Sequence, residues 1–139
     1  PQLFWLQNHY VALWINRASR AIHLQTFESD LTPLGTVQTL TQLAPTHTFR
    51  WLRGFPAKDE RFALAWQTEM PGMDFSDSGE PLPELELYLA PLDISGQRLI
   101  SPVALGRQAE SFFTAGWLGE YLITVHGGTG VVTPFVLRS

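Results

Sequence analysis

Short runs of apolar residues, separated by turn-forming residues, follow one another along the chain. The clearest run is residues 62–66 (Phe-Ala-Leu-Ala-Trp), and weaker copies occur at residues 10–14 (Tyr-Val-Ala-Leu-Trp) and 121–125 (Tyr-Leu-Ile-Thr-Val). Residues 22–27 and 85–92 show the period of two that is typical of half-buried strands. Gly, Pro, Asn, Asp and Ser interrupt the pattern at short intervals. The pattern therefore predicts an all-β chain of short strands.

The spacing of these runs indicates a repeated unit of four strands. A tryptophan precedes each copy by a short gap, at Trp5, Trp51 and Trp117. Four strands in about 40–50 residues is the period of a propeller blade. We therefore expect a single domain over residues 1–139, and the last of its units lacks its final strand. The units span approximately residues 1–44, 45–108 and 109–139.

Two segments carry a resemblance to a known class of repeat. They are Trp117-Leu-Gly-Glu-Tyr-Leu and Leu92-Asp-Ile-Ser-Gly-Gln-Arg-Leu, and both resemble bacterial β-propeller repeats in general. The resemblance covers nearly the whole chain and implies about three four-stranded propeller-like blades, but no particular activity. The first unit departs from the pattern, since Leu31 stands where the turn glycine is expected. A β-sandwich is the alternative fold.

An arc of three blades would leave open sheet flanks and unpaired strand edges. Closed propellers have about four to eight blades, and soluble proteins avoid exposed edges. The sequence therefore predicts that a protein partner or further copies of the chain complete the open sheet edges. The sequence begins at Pro1 and not at methionine, so we expect either that a leader has been removed or that the chain is part of a longer one.

Composition narrows the classes of function. Charged residues make up 16% of the chain, against a usual share of about 25%, and such a surface is suited to being covered by another protein. The net charge of −4 provides no basic footprint for nucleic acid. The absence of cysteine excludes disulfides and thiolate metal sites, and it fits either redox compartment. No apolar run approaches the roughly 20 residues that span a bilayer.

Residues 67–84 interrupt the repeat, and we predict that they form a polar loop with added function. Four of them are candidate binding residues: Met70, Met73, Asp74 and Phe75. Asp74 begins a pattern of alternate oxygen-bearing residues with the outline of a calcium loop, but its twelfth position is Leu85 where a bidentate glutamate belongs. A solvated, partly mobile loop is therefore favoured over a metal site, and a loop that becomes ordered on a partner is one form of it.

No pattern in the sequence indicates catalysis or a cofactor. There is neither a Gly-x-Ser-x-Gly motif nor a cysteine nucleophile. The four histidines have no short ligand spacing. Residues 126–130 (His-Gly-Gly-Thr-Gly) are rich in glycine, but a strand follows them at once, so a hairpin turn is predicted instead of a phosphate loop. We therefore expect no catalytic residue, no metal and no cofactor.

The five tryptophans distinguish the two functions that remain. Trp14 and Trp66 hold the same position in their units and are predicted to pack between sheets. Trp5, Trp51 and Trp117 also correspond; packing within each blade is favoured, but an exposed array of them would stack sugar rings. The predicted function is thus a non-catalytic binding or scaffolding module acting through protein–protein contacts. The alternative is a lectin-like propeller that binds carbohydrate through the repeated tryptophans.

Overall fold

The computed structural model describes residues 1–99, 101–107, 112–127 and 133–138 of the chain. Strands make up 70% of the structure, and the described residues contain no helix. The prediction of an all-β protein is confirmed.

Antiparallel strands form three sheets in the described residues, and every strand pairs only with its neighbours in the chain. Such meanders need only short turns between strands. Sheet 1 contains β1 (Gln2–Leu6), β2 (His9–Asn16), β3 (Ala21–Phe27) and β4 (Pro33–Gln42). Sheet 2 contains β5 (Thr48–Pro56), β6 (Arg61–Phe75), β7 (Pro81–Asp93) and β8 (Val103–Arg107). Sheet 3 contains β9 (Phe112–Leu118), β10 (Tyr121–Gly127) and β11 (Thr133–Arg138).

Sheet 2 lies between the other two sheets and is covered on both faces. In β6, Phe62, Leu64 and Trp66 belong to the apolar cluster that sheet 2 shares with sheet 1. The alternate residues Ala63 and Ala65 belong to the cluster shared with sheet 3. Successive side chains of a strand point to opposite faces. Burial of both faces therefore explains why this run of β6 is apolar at every position.

The sheets approach one another at their first strands. Cα atoms of β1 and β2 lie within 8 Å of β5, and those of β5 lie within 8 Å of β9. The ring of Phe4 in β1 lies 5.4 Å from that of Phe62. Gly54 of β5 makes room for it, because a Cβ at this position would lie only 2.5 Å from Phe4 Cε1. A small residue is thus required where sheets 1 and 2 meet.

One turn geometry recurs at three hairpins, and it explains the position of Leu31. The amide of Leu31 donates to Glu28 O at 2.9 Å, as the amide of Gly96 donates to Asp93 O at 2.9 Å. Gly79 occupies the same place in the turn between β6 and β7. The φ angles are +69° at Leu31, +80° at Gly96 and +81° at Gly79. Leu31 therefore adopts the left-handed conformation that its two counterparts reach as glycine.

One predicted loop is formed by parts of two strands in the structure. The loop expected at residues 67–84 is the outer part of the β6–β7 hairpin, in which Met70 pairs with Glu84. A shift in register near Pro71 marks a bulge, and bulges tolerate residues that regular strands disfavour. The prediction of a loop there was wrong, because prolines and acidic residues hide the strand pattern.

The third copy of the apolar run is displaced by one residue from its predicted alignment. Trp5 pairs with Tyr10, and Trp117 pairs with Leu122 and not with Tyr121. Leu122 is therefore the counterpart of Tyr10. Because a shift of one residue exchanges the two faces of a strand, Leu122 is buried against sheet 2 while Tyr121 is exposed.

Candidate functional site

The outer face of sheet 1 is apolar, and none of the residues that the structure describes covers it as sheet 1 covers sheet 2. Its apolar members lie at alternate positions of the first three strands: Leu3, Trp5, Tyr10, Ala12, Trp14 and Phe27. Gln25 and His23 of β3 lie on the same face. Leu3 is 62% exposed. The Trp5 and Tyr10 rings meet edge to face, with centroids 4.6 Å apart, which holds two large side chains in place on this face.

A groove of about 440 Å³ crosses this face. Its lining is Pro1, Gln2, Leu3, Ala12, Phe27 and Leu31. The neighbouring amide of Gln25 is buried and donates to the carbonyl oxygens of Thr26 and Leu34, each at 3.0 Å. This amide is satisfied within the sheet, so the groove presents a mainly apolar surface.

The outer face of sheet 3 also exposes apolar side chains in its described part, together with the exposed Thr114. Leu118 is 67% exposed, and Tyr121 opposite it is exposed as well. Ile123 and Val125 follow on the same face of β10 and are half-buried. Gly116 pairs with Ile123, and nothing lies within 4 Å of the place that a Cβ would occupy. This face therefore has a depression at Gly116 between apolar side chains.

Trp14 and Trp66 show what the cover of a neighbouring sheet contributes. Each pairs with an aromatic residue of the next strand: Trp14 with His23 and Trp66 with Tyr88. The ring centroids are 5.6 Å and 5.4 Å apart. Trp66 is only 4% exposed because sheet 1 covers it, whereas Trp14 is half-buried on the outer face. The predicted packing between sheets therefore holds for Trp66, but in the described chain it fails for Trp14.

Trp5, Trp51 and Trp117 do not form the exposed array that the sugar-binding alternative requires. Trp5 and Trp117 lie near the ends of their strands, whereas Trp51 lies near the start of β5. Trp51 and Trp117 pack between sheets 2 and 3. The Trp51 ring lies 5.9 Å from Phe113, and Trp117 Nε1 donates to Phe55 O at 3.1 Å. Only Trp5 of the three lies on an uncovered face, so this geometry gives the sugar-binding hypothesis no support.

The candidate binding residues of the β6–β7 hairpin lie on an exposed arm, separate from the three tryptophans. The arm is the part of the hairpin beyond Glu69, and its tip is the turn at residues 76–80. Met73 is 87% exposed, Asp74 and Phe75 are exposed, and Met70 is half-buried. The arm thus presents apolar side chains but encloses no pocket among the described residues.

The arm does not form the calcium loop that its spacing suggested. Asp74 lies within β6, before the turn begins. The hydroxyls of Ser76 and Ser78 lie 2.8 Å apart and hydrogen-bond to each other, and such an arrangement uses their oxygens within the turn. Over the described ranges, no three His, Cys, Asp or Glu side chains gather in the way metal ligands do.

Of the predicted glycine-rich turn, residues 128–130 lie outside the described residues.

Arg61 links sheets 2 and 3 through a small charged cluster. Its guanidinium contacts Asp59 at 2.6 Å, donates to Gly119 O at 3.1 Å and lies 5.0 Å from the centre of the Trp117 ring. The hydrogen bond from Arg61 holds the pKa of Asp59 below its usual value, and the same bond raises the pKa of Arg61. Asp59 thus orients a cation that holds sheet 3 in place.

A cleft of about 310 Å³ separates the outer parts of sheets 1 and 2, beside the stacked Trp66 and Tyr88. The Tyr88 hydroxyl donates to Glu86 at 2.5 Å. Burial, followed by this hydrogen bond, raises the pKa of Tyr88 to about 12. Arg98 donates to Leu40 O across the cleft. These polar groups hydrogen-bond to other groups of the protein. The cleft is therefore better described as a gap between two diverging sheets than as a set of catalytic groups.

Most of the uncovered residues were not identified from the sequence as site residues. Ala12, Phe27, Leu118 and Tyr121 belong to runs that the sequence indicated only as strands. The signal in the sequence was that apolar residues occupy both sets of alternate positions in β2 and β10. This pattern is typical of strands buried on both faces. The structure buries one face of each strand, and the other face is the candidate interaction surface.

Comparison with known proteins adds no information about function, so the proposal below is based on these surfaces. No protein-family model, curated protein or solved structure matches the chain. None of the described residues belongs to a helix long and apolar enough to span a membrane.

Proposed function

We propose that this chain is a non-catalytic binding or scaffolding module that acts through protein–protein contacts on the outer faces of sheets 1 and 3. One observation carries the proposal: Trp66 is buried by a neighbouring sheet, whereas no sheet among the described residues covers its counterpart Trp14 in this way. Contiguous apolar surface on a folded protein marks interaction sites. Covering it removes apolar area from water, which is worth about 25 cal/mol per Å².

The same proposal treats the three sheets as propeller-like blades. Three features support it: the strands of each sheet follow chain order, the sheets meet at their first strands, and sheet 2 is covered on both faces. A sandwich-like fold is compatible with the same three sheets, and the cover on both faces of the middle sheet is the feature that favours the blade arrangement. In a propeller-like arc the first and last blades each keep one uncovered face, as sheets 1 and 3 do here.

Photocrosslinking from the two faces tests this function. A photoreactive amino acid replaces Leu3 in one variant and Leu118 in another, and Gln97, exposed in the turn after β7, is the matched control position. We expect crosslinks to protein from positions 3 and 118 in cells that express the chain, and none above background from position 97. Equal labelling at all three positions, or none at any, would contradict the proposed function.

A further inference from the structure

We propose that the partner is a second copy of this chain, bound head to tail. The outer face of sheet 3 in one copy packs on the outer face of sheet 1 in the other. This inference rests on the proposed function and names its partner. It follows from the two contacts between sheets that the chain already makes.

Each contact joins two different faces, which we call forward and rear. The earlier sheet contributes its forward face: Val11 and Leu13 in sheet 1, Ala63 and Ala65 in sheet 2. The later sheet contributes its rear face: Phe62, Leu64 and Trp66 in sheet 2, Leu122 and Thr124 in sheet 3. Both contacts thus join a forward face to a rear face.

Strand register assigns the two uncovered faces to these types. Tyr10 pairs with Phe27 as Phe62 pairs with Leu92, so Tyr10 holds the rear-face position of Phe62. The outer face of sheet 1 is therefore a rear face. Because Leu122 is the counterpart of Tyr10, the next residue, Ile123, is the counterpart of Val11. The outer face of sheet 3 is therefore a forward face, and the part of the chain that the structure describes has one unpaired face of each type.

The sizes of the side chains at the first strands are complementary. In the contact between sheets 1 and 2, Phe4 of the forward face fits against Gly54 of the rear face. Between sheets 2 and 3, Phe55 and Ala115 hold the same two positions within one cluster. The Phe55 ring also lies 5.5 Å from Phe113 on the rear face. In both contacts a large residue thus holds the forward position and a small residue holds the rear position.

On the two uncovered faces the small residue lies on the forward face and the large residue lies on the rear face. Gly116 holds the forward position of Phe4, because Gly116 pairs with Ile123 as Phe4 pairs with Val11. By the same reasoning, Leu3 holds the rear position of Gly54. The depression at Gly116 would therefore receive Leu3 of the second copy. Phe4 and Gly54 do not face outward, because both lie in the contact between sheets 1 and 2. The contact between two copies would therefore use a different pair of residues, Leu3 and Gly116.

Closure follows from the type of the contact. A contact between two different faces repeats until rotation closes a ring, or else it extends as a filament. Two copies of a three-sheet chain contribute six sheets, within the range of about four to eight blades found in closed propellers. Two head-to-tail contacts would then cover all four free faces of the pair.

Two variants separate this inference from other modes of association. Leu3→Arg blocks the rear face, and Gly116→Arg blocks the forward face. Both substitutions should leave the fold intact, because Leu3 is exposed and a Cβ at Gly116 meets nothing within 4 Å. Gln97→Arg adds the same charge at an exposed turn and serves as the control.

Light scattering during size-exclusion chromatography measures the outcome, with circular dichroism as the check of folding. We expect twice the mass of one chain for the wild type and for Gln97→Arg, and the mass of one chain for each face variant alone. An equimolar mixture of the two face variants should recover a two-chain species, since each supplies the intact face that the other lacks. Engineered cysteines, Leu3→Cys in one copy and Gly116→Cys in another, should form a mixed disulfide, since the chain has no cysteine of its own.

The contrary results are distinct. A wild-type chain that stays single at all concentrations and forms no mixed disulfide overturns the second copy as partner; crosslinks from positions 3 and 118 to a different protein would then leave the proposed function standing. A two-chain wild type whose face variants fail to recombine overturns the head-to-tail arrangement. The absence of crosslinks from both faces would remove the proposed function together with this inference.

Discussion

Leu31 combines an unfavourable backbone conformation with a place in the apolar groove. A side chain in the left-handed region costs about 1–2 kcal/mol relative to glycine, and such strain tends to persist where the side chain serves a function. We therefore expect Leu31→Gly to raise the free energy of unfolding of the single chain by about 1 kcal/mol, while weakening association of the outer faces. Urea unfolding at low protein concentration and light scattering at high concentration measure the two effects.

Leu31→Ala is the matched control for the opposite effects on stability and association, because it removes the side chain beyond the Cβ but keeps a Cβ at positive φ. The alanine variant should associate as weakly as the glycine variant, without its gain in stability. Equal stability of the two variants would show that the turn is unstrained. Association equal to that of the wild type would show that Leu31 takes no part in the contact.

Asp59 provides a pH dependence whose sign follows from its pKa. The hydrogen bond from Arg61 lowers the pKa of Asp59 in the folded chain. Its contribution to stability is therefore complete above the unfolded value of about 3.9 and is lost as the pH falls through the lowered value. Because Asp59 is nearly half exposed, solvent screens the pair, and we expect Asp59→Asn to reduce the free energy of unfolding by only about 0.5 kcal/mol at pH 7.

Urea titrations at pH 7 and pH 2 measure this difference. The asparagine keeps a carbonyl oxygen that can accept the hydrogen bond from the Arg61 amide, which Asp59 Oδ1 accepts at 3.0 Å, so the comparison isolates the charge. Wild type and variant should converge at pH 2. A difference that persists there would mean that shape or hydrogen bonding, and not charge, accounts for the effect.

At the scale of elements, period and turn residues were enough to predict most of the strands, but neither the outer parts of β6 and β7 nor the alignment of strands between sheets. The run at residues 62–66 is apolar in both phases because both faces of β6 are buried. The run at residues 121–125 is also apolar in both phases, so the pattern could not fix which face turns inward. Only the pairing of Trp117 with Leu122 resolves the register. The same ambiguity concealed the apolar outer faces, which are the candidate site.

The β6–β7 arm is an element whose removal should leave the rest of the fold unchanged. Met70 pairs with Glu84, so an Asn-Gly pair in place of residues 71–83 would close the hairpin with a favoured two-residue turn. We expect the midpoint of thermal unfolding to change by only a few degrees and the mass in solution to stay that of the wild type. The reason is that the apolar side chains lost with the arm are exposed.

The shortened hairpin also tests the prediction that Met70, Met73, Asp74 and Phe75 bind a partner. Replacement of Met73 and Phe75 by serine in the full-length hairpin is the control that keeps the backbone of the arm. If both changes abolish association while the chain remains folded, the partner occupies the arm and not the outer faces. If only the shortened chain loses stability, the arm has a structural role that its exposure does not reveal.

For the whole molecule, the sequence predicted a need for assembly at open sheet flanks and at unpaired strand edges. The uncovered apolar surface of the described residues lies on the outer sheet faces, which are those flanks, and not along an edge, with Leu3 and Leu118 as its most exposed members. This difference has a physical cause. An edge offers backbone groups to any strand, whereas a face offers shaped side chains. Selection of a particular partner is therefore better served by the faces, and the contact between sheets 1 and 2 shows the shape that such a partner needs.

A tandem fusion of two copies tests closure at this scale. A flexible Gly/Ser linker from Ser139 of one copy to Pro1 of the next raises the local concentration of the paired faces to about the millimolar range. We expect the fusion to remain a single species with the mass of one fused chain, and to unfold at a higher temperature than the unlinked chain. Its unfolding temperature should not depend on protein concentration, because both contacts are now intramolecular.

Leu3→Arg in both halves should return the unfolding temperature to that of the unlinked single chain, whereas Gln97→Arg in both halves should not. Growth of the fusion into long oligomers would show that the contact is head to tail but does not close, since a rotation unsuited to six sheets propagates as a filament.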